Sequence, residues 1–300
     1  MGVIFDNNNQ GLPYICGPCL YILFYRGRLG IYLKNTTYSS ETKQIVANLR
    51  IIDDDLFRLI AEKPDVCQEI LRTLLDMPSL KVIKVNSQDL IQSFNREIIL
   101  DALCEMDNGA LCNIEVQKGK SNNDVARTRF HASAITAKYT PKSTDFNDIP
   151  DVTIVYITEY DALKNNQTIT HVSRCMKNNS EYVPVNDGED IVFANTCIDD
   201  GSDKSELLQL MLNKEAFYND KFPAISKAIT YFKTTKGGQA EMCKTVEEYA
   251  KEYAEKKSSE SRIQMISDFL SSGGSESDAY KMLKATPEEV AKAKQSLIKH

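Results

Sequence analysis

Two acidic residues, Asp101 and Glu115, lie on consecutive segments that have the sequence pattern of β-strands. The segments, 97–106 and 110–118, flank Asp107-Asn108-Gly109, which is typical of a tight turn between antiparallel strands. Two carboxylates brought together by such a hairpin have the chemistry to bind a hard divalent cation such as Mg²⁺. A cation held in this way polarises a bound phosphate and lowers the pKa of water.

The length of the loop decides whether the two acids meet. A three-residue loop, with Gly109 in the left-handed conformation, pairs Met106 with Ala110 and Asp101 with Glu115. A two-residue loop would shift the pairing by one position and mix polar with apolar side chains, which a sheet packed on one face disfavours. In the first register one face of the hairpin is entirely apolar, and its members are Ile98, Leu100, Ala102, Cys104, Met106, Ala110, Cys112, Ile114 and Val116. The sequence therefore predicts the three-residue loop.

Directly opposed carboxylates repel each other at the spacing of paired strands. A Mg²⁺ ion bound by both carboxylates and a backbone carbonyl would remove this repulsion, with water completing its coordination. A second interpretation stays open at this point. The two acids could lie on a solvated polar face, where water weakens the repulsion enough for them to tolerate each other.

The elements that must position the hairpin are predicted from hydrophobic periodicity and from start and stop signals. The predicted strands are 80–85, 97–106, 110–118, 152–158, 168–176 and 190–196. The predicted helices are 53–62, 64–77, 123–138, one that opens after Ser202, 245–270, 275–283 and 287–298. The last two helices begin with capping boxes, Ser275 with Asp278 and Thr286 with Glu289.

With the hairpin and its flanking elements in place, the sequence resembles the PD-(D/E)XK nuclease family transposases, which are also described as recombination-promoting nucleases. The resemblance extends over about residues 49–236. It rests on the order and spacing of the two acids, on the segments 99–104, 112–118 and 199–203, and on a following helix that carries Arg127 and Arg129. It implies an α/β fold with a restriction-endonuclease-like core, in which helices flank a mixed central sheet.

The resemblance also implies roles for particular residues. Asp101 and Glu115 would be catalytic metal ligands, and the Val116 carbonyl would be a third ligand. Gln117, a further catalytic residue, occupies the position where the wider superfamily usually has Lys. A neutral amide can hydrogen-bond but cannot stabilise negative charge as an ammonium does, so catalysis would depend more on the metal, Mg²⁺ or alternatively Mn²⁺. Glu69, in the preceding helix, resembles the auxiliary acid of the superfamily.

Charge is distributed unevenly along the chain. The 300 residues contain 36 Lys and Arg against 42 Asp and Glu, so the net charge is −6 and any contact with DNA requires a local basic patch. Between 118 and 142 the sequence has six basic residues and one acid. We expect four of the six to contact DNA: Lys118, Lys120, Arg127 and Arg129. An ordinary solvated helix face is the alternative. His131 on the same helix could approach the site as a phosphate or water contact, although a lone helical histidine is more often structural.

Taken with the resemblance, these residues indicate a Mg²⁺-dependent DNA endonuclease of the mobile-element type, which hydrolyses phosphodiester bonds. The alternative is a catalytically inactive nucleic-acid-binding or regulatory module of the same fold, which Gln117 and the acidic net charge favour. A third interpretation is a helical interaction protein whose tail mediates assembly. P-loop, nucleophile-elbow and HExxH motifs are absent from the sequence, so kinase, serine hydrolase and zinc protease activities have no support.

The chain is predicted to have three parts: an irregular N-terminal extension (1–48), a nuclease-like domain (49–236) and a helical C-terminal tail (237–300). The CxxC of Cys16 and Cys19 has no second pair to complete a zinc site. Eight cysteines are too few for a disulfide scaffold, and no secretory leader or membrane span is apparent, so we expect a cytosolic protein. The C-terminal helices are expected either to pack on the domain or to mediate homo-oligomerisation.

Overall fold

The computed structural model describes residues 38–93, 96–120 and 123–298, together with three short N-terminal strands. These strands, β1 (Tyr14–Ile15), β2 (Leu20–Tyr25) and β3 (Arg28–Leu33), form an antiparallel sheet in that order. The chain divides into two compact units, Met1–Lys43 and Gln44–His300. The extension that was expected to be irregular therefore contains regular strands, whereas Cys16 and Cys19 lie outside the described residues.

A mixed six-stranded sheet forms the centre of the second unit. Its strands, in spatial order, are β4 (Val82–Ser93), β5 (Arg96–Met106), β6 (Leu111–Gln117), β7 (Val152–Thr158), β11 (Glu189–Asn195) and β8 (Ile169–Val172). The pairs β6–β7 and β7–β11 are parallel, and the remaining pairs are antiparallel. A separate hairpin, β9 (Cys175–Asn178) with β10 (Glu181–Pro184), leaves the sheet after β8. It was missed in the sequence, where 168–176 reads as one strand.

Helices flank the sheet, so the predicted α/β architecture is confirmed. They are α1 (Ser40–Asn48), α2 (Asp54–Ala61), α3 (Pro64–Leu74), α4 (Asp124–Tyr139), α5 (Asp203–Leu210), α6 (Pro223–Thr234), α7 (Lys236–Ser271), α8 (Glu276–Met282) and α9 (Pro287–Ile298). The central strand β7 is buried along almost its whole length because both of its faces are covered, which explains its continuous β-branched sequence. No helix in the described parts of the chain combines the length and the apolar composition needed to cross a bilayer.

The helix α7 begins nine residues before the predicted position of Thr245. Thr235 caps its N-terminus by accepting a hydrogen bond from the Gly238 amide. Two glycines in the first turn have low helix propensity and add no apolar side chain, so the hydrophobic periodicity does not indicate the start of the helix. Gly238 is required by close packing, since a Cβ atom there would lie 2.4 Å from the Tyr231 carbonyl oxygen of α6. The first turns of α7 thus pack directly on the domain that carries the sheet.

The end of α7 packs with α8 and α9 around a small apolar core of its own. Its buried members are Ile266, Ala279, Ala285, Val290 and Ala293. The capping box at Thr286 is confirmed, because Thr286 and Glu289 exchange side-chain to backbone hydrogen bonds of 2.8 and 3.2 Å. At Ser275 half of the box forms: its hydroxyl accepts from the Asp278 amide, but the Asp278 carboxylate accepts from that hydroxyl and not from the Ser275 amide. Local sequence signals were sufficient here because the caps act within one turn.

Candidate active site

The hairpin of β5 and β6 has the predicted three-residue loop. The Met106 amide donates to the Ala110 carbonyl at 2.9 Å, and the Gly109 amide donates to the Met106 carbonyl at 2.9 Å. Gly109 has φ +84°, in the left-handed region where glycine is favoured. The strands pair Ala102 with Ile114, and this register, continued by one residue, sets Asp101 opposite Glu115.

The predicted apolar face is only partly right. All nine of its members are buried. Ile98 and Leu100, however, pack in one cluster with Leu103 and Leu111, which belong to the opposite face of a regular hairpin. The face that β5 presents therefore changes near Asp101. Glu115 is only 2% exposed, so it does not lie on a solvated face as one interpretation allowed, whereas Glu97 and Ile99 at the start of β5 are exposed.

Backbone and amide groups hold the two acids. The ladder between β5 and β6 ends at Ala102 and Ile114, and beyond it the Val116 amide donates to Asp101 Oδ2 at 3.0 Å. The Asn113 side-chain amide donates to Glu115 Oε1 at 2.7 Å, and the Asp101 amide lies 3.4 Å from the same oxygen. Because the two strands separate here, the Val116 amide bonds to the Asp101 carboxylate and not to a backbone carbonyl of β5.

The Val116 carbonyl faces the same gap between the strands. On the other side of β6, the Leu111 amide donates to Asp151 and the Gln117 carbonyl accepts from Glu159, both as part of the pairing with β7. Backbone groups of a strand point to alternate neighbours, so those of Val116 point towards β5 and Asp101. The three groups that the resemblance identifies as metal ligands therefore lie together.

The electrostatics of the pair suit a cation. Burial raises the pKa of Asp101 well above its usual range, the charge of Glu115 raises it further, and the Val116 amide and Arg127 oppose the change. Within the described ranges, no three His, Cys, Asp or Glu side chains are arranged to hold a metal ion. An ion at the pair would need the Val116 carbonyl and water to complete its coordination, and oxygen ligands of this kind fit Mg²⁺ or Mn²⁺.

The helix α4 covers the pair with one face. His131 is 5% exposed, and its Nδ1 lies 3.4 Å from Glu115 Oε1 without a hydrogen bond. Arg127, one turn earlier on the same side, acts on Asp101 through its charge. The start of α4 is fixed by Asp124, which accepts hydrogen bonds from the hydroxyls of Tyr156 and Tyr160 at 2.9 and 2.8 Å. His131 therefore lies at the site, the less expected of the two alternatives that the sequence left open.

The other predicted residues are distributed around the ends of β6 and α4. The Gln117 side-chain amide donates to the Gly119 carbonyl at 2.7 Å, and Lys118 forms an ion pair of 2.8 Å with Asp53. Lys120 and Arg129 are exposed. Arg129 follows Arg127 by two residues and so projects from a different side of α4.

The structure does not bring Glu69 to the pair. Its carboxylate accepts hydrogen bonds from the amides of Ala224 and Ile225, at 3.1 and 2.9 Å, in the first turn of α6. Asp54, at the start of α2, interacts with the pair through its charge, which raises the pKa of Asp101. The pKa of Asp54 is itself raised by burial, by the charge of Asp53 and, to a smaller extent, by that of Glu115. Asp54 was missed because Asp53, Asp54 and Asp55 read as ordinary acids at a helix N-terminus.

A mixed sheet flanked by helices, with paired acids on two neighbouring strands, defines a restriction-endonuclease-like nuclease fold. Residues 58–196 match the model of the family described as PD-(D/E)XK nuclease family transposase, so the central part of the chain is similar to that family. The family is associated with nuclease and transposase function, and its nucleases typically use divalent metals. No curated protein and no solved structure matches the chain.

Proposed function

We propose that this protein is a metal-dependent DNA endonuclease of the mobile-element type, which hydrolyses phosphodiester bonds. The observation that carries the proposal is the pairing of the partly buried Asp101 with the buried Glu115 on neighbouring strands of the segment that matches the family. Paired acids with this burial destabilise the fold unless a positive charge or a proton compensates them. A bound cation would supply this compensation and would explain why the two acids lie together.

Asp101, Glu115 and the Val116 carbonyl would hold Mg²⁺, with Mn²⁺ as a substitute. When bound, the ion supplies positive charge to the phosphate and lowers the pKa of water. The protein keeps its ligands in place through the Val116 amide on Asp101 and the Asn113 amide on Glu115. Burial of these contacts excludes bulk water and strengthens their electrostatic effect.

Basic residues next to the pair would bind the DNA backbone. Arg127 is close enough to Asp101 to affect its pKa, and we expect Lys118, Lys120 and Arg129 to contact phosphates further along the strand. Gln117 would hydrogen-bond to a phosphate or to the attacking water by exchanging its contact with Gly119. We also propose a reducing cytosol as the compartment, in keeping with eight cysteines that are too few for a disulfide scaffold.

Cleavage of supercoiled plasmid in Mg²⁺ tests the proposal. We expect the wild type to nick or cut the plasmid, and Asp101→Asn and Glu115→Gln each to reduce the rate by about 100-fold or more, as removal of a metal ligand does. Glu97→Gln is the matched control, since it removes an exposed acid from the same strand as Asp101. Full activity in both site variants would contradict the proposal.

One observation favours an inactive nucleic-acid-binding module instead. Gln117 carries no charge, and its amide is already bonded to Gly119. Calorimetric titration of the wild type with Mn²⁺ separates the two functions. A heat of Mn²⁺ binding that is present in the wild type and lost in Asp101→Asn supports the nuclease. Salt-sensitive DNA binding by a wild type that binds no Mn²⁺ supports the inactive module.

A further inference from the structure

Two tyrosines form an exposed aromatic surface on α7. Tyr249 and Tyr253 are 39% and 53% exposed. Their rings are stacked, with centroids 6.4 Å apart and an angle of 26° between the planes. The four-residue spacing places both on one side of the helix. Neither ring is needed to fill a core, so their exposure on the same helix face calls for an explanation beyond packing.

A cation lies at each end of this aromatic pair. Arg58 of α2 is 5.7 Å from the centroid of the Tyr249 ring, and Lys257 of α7 is 5.8 Å from that of Tyr253. Both distances are within the range of cation–π contacts. Lys257 also forms an exposed ion pair of 3.1 Å with Glu260, which a phosphate would have to replace. The buried Nε of Arg58 has no hydrogen-bond partner. The four side chains form a continuous row of cation, ring, ring and cation, which we call the tyrosine row.

The helix α2 connects the tyrosine row to the candidate active site, because it packs both on α7 and on β5, the strand that carries Asp101. Arg58 follows Asp54 by one turn of α2, so the two lie on the same side of that helix. Burial raises the pKa of Tyr249, and the charge of Asp54 raises it further. The same Asp54 charge acts on Asp101. Asp54 therefore links the Tyr249 end of the row to the acid pair.

We propose that the tyrosine row binds unpaired nucleobases of a DNA strand whose backbone passes the Asp101–Glu115 pair. This inference rests on the proposed nuclease function and specifies its substrate as DNA with a single-stranded stretch beside the cleaved bond. Aromatic side chains stack on bases of any sequence, and neighbouring cations attract the phosphates. In a duplex the faces of the bases are covered by neighbouring base pairs, so only unpaired bases can use the rings.

Binding in EDTA, where no cleavage occurs, tests the row. We expect Tyr249→Ala and Tyr253→Ala each to weaken binding of a labelled single strand by about 5- to 100-fold, the loss typical of one base–aromatic stack. Tyr249→Phe and Tyr253→Phe keep the ring and should bind like the wild type. Tyr182→Ala is the matched control, because Tyr182 is 67% exposed and also carries a lysine, Lys177, over its ring, but lies in the β9–β10 hairpin.

Fluorescence of a single strand that contains 2-aminopurine gives a direct readout of stacking. We expect quenching on binding to the wild type and to the phenylalanine variants, and less quenching with the alanine variants. Unchanged affinity and quenching in both alanine variants would overturn the proposal. So would an equal loss of affinity for a blunt duplex, since the rings would then act on binding in general.

Plasmid cleavage by the same variants separates this proposal from the nuclease function. Cleavage of plasmid by the wild type, together with lost single-strand binding and slower cleavage of a gapped duplex in the alanine variants, supports both. If the wild type cuts DNA and the alanine variants bind single strands as well as the wild type does, the role of the tyrosine row is overturned and the nuclease function is retained. If single-strand binding depends on the tyrosines but the wild type cuts no DNA, the binding role of the row stands and the proposed nuclease function is contradicted.

Discussion

At the scale of single residues, the hydrogen bonds and charges around Glu69 and Asp54 distinguish a structural acid, Glu69, from an acid of the site, Asp54. Both are acids on helices that pack near the β5–β6 hairpin. Glu69 accepts two amide hydrogen bonds from α6, whereas Asp54 shares its electrostatic environment with Asp101 and Glu115. Pro223 begins α6 and has no amide hydrogen, so Ala224 and Ile225 supply the first free donors of that helix, and Glu69 satisfies both.

Substitution of Glu69 tests this structural role. We expect Glu69→Gln to lower the free energy of unfolding by about 1 kcal/mol, because each carboxylate oxygen accepts one amide hydrogen bond and glutamine has a single acceptor oxygen. The rate of plasmid cleavage per folded molecule should be unchanged. Urea denaturation and the cleavage assay measure the two quantities. A loss of cleavage without a loss of stability would restore Glu69 as an auxiliary acid.

At the scale of elements, the strand pair β4–β5 contains an irregularity at the site. Gln88 of β4 has φ +54°, although it is not a glycine. Ser87 pairs with Ala102 and Asp89 with Leu100, so Gln88 lies opposite Asp101. Near this point β5 also changes the face that it presents to the core. The backbone strain of β4 therefore coincides with the position at which Asp101 leaves the regular ladder.

Two substitutions at Gln88 test whether this irregularity positions Asp101. Gln88→Gly should be tolerated, because glycine adopts a positive φ without strain. Gln88→Val should lower the free energy of unfolding by about 1–2 kcal/mol, since a β-branched residue is disfavoured in that conformation, and should also slow cleavage. Denaturation curves and cleavage rates measure both effects. Equal behaviour of the two variants would mean that the strand relaxes without affecting the site.

The sequence predicted those features that depend on local pattern. The loop at Gly109, the pairing of Ala102 with Ile114 and the capping box at Thr286 follow from turn chemistry, alternation and short-range hydrogen bonds. The roles of Asp54 and His131 depend on how separate helices pack on the sheet, which one sequence does not encode locally. The change of face near Asp101 was missed because a strained residue on another strand, Gln88, accompanies it.

At the scale of the whole molecule, α7 connects the sheet domain to the C-terminal helices and carries the tyrosine row. Its connection to α6 depends on close backbone contact at Gly238, where a Cβ atom would lie 2.4 Å from the Tyr231 carbonyl oxygen and 2.6 Å from the Phe232 Cα. At Gly237 the nearest atom to such a Cβ is the Tyr231 hydroxyl, at 3.3 Å. A side chain with a Cβ atom can therefore be accommodated at Gly237 but not at Gly238.

Alanine at these glycines tests whether α7 is held rigidly to the domain. Gly237→Ala should be neutral or slightly stabilising, because alanine favours the helix and the tyrosine hydroxyl can move. Gly238→Ala should lower the free energy of unfolding by about 2 kcal/mol or more, since backbone atoms of α6 cannot move aside without separating the helices. Because displacement of α7 would carry Tyr249 away from Arg58, single-strand binding should fall in Gly238→Ala and persist in Gly237→Ala. Equal stability of the two variants would show that the α6–α7 junction is not close-packed.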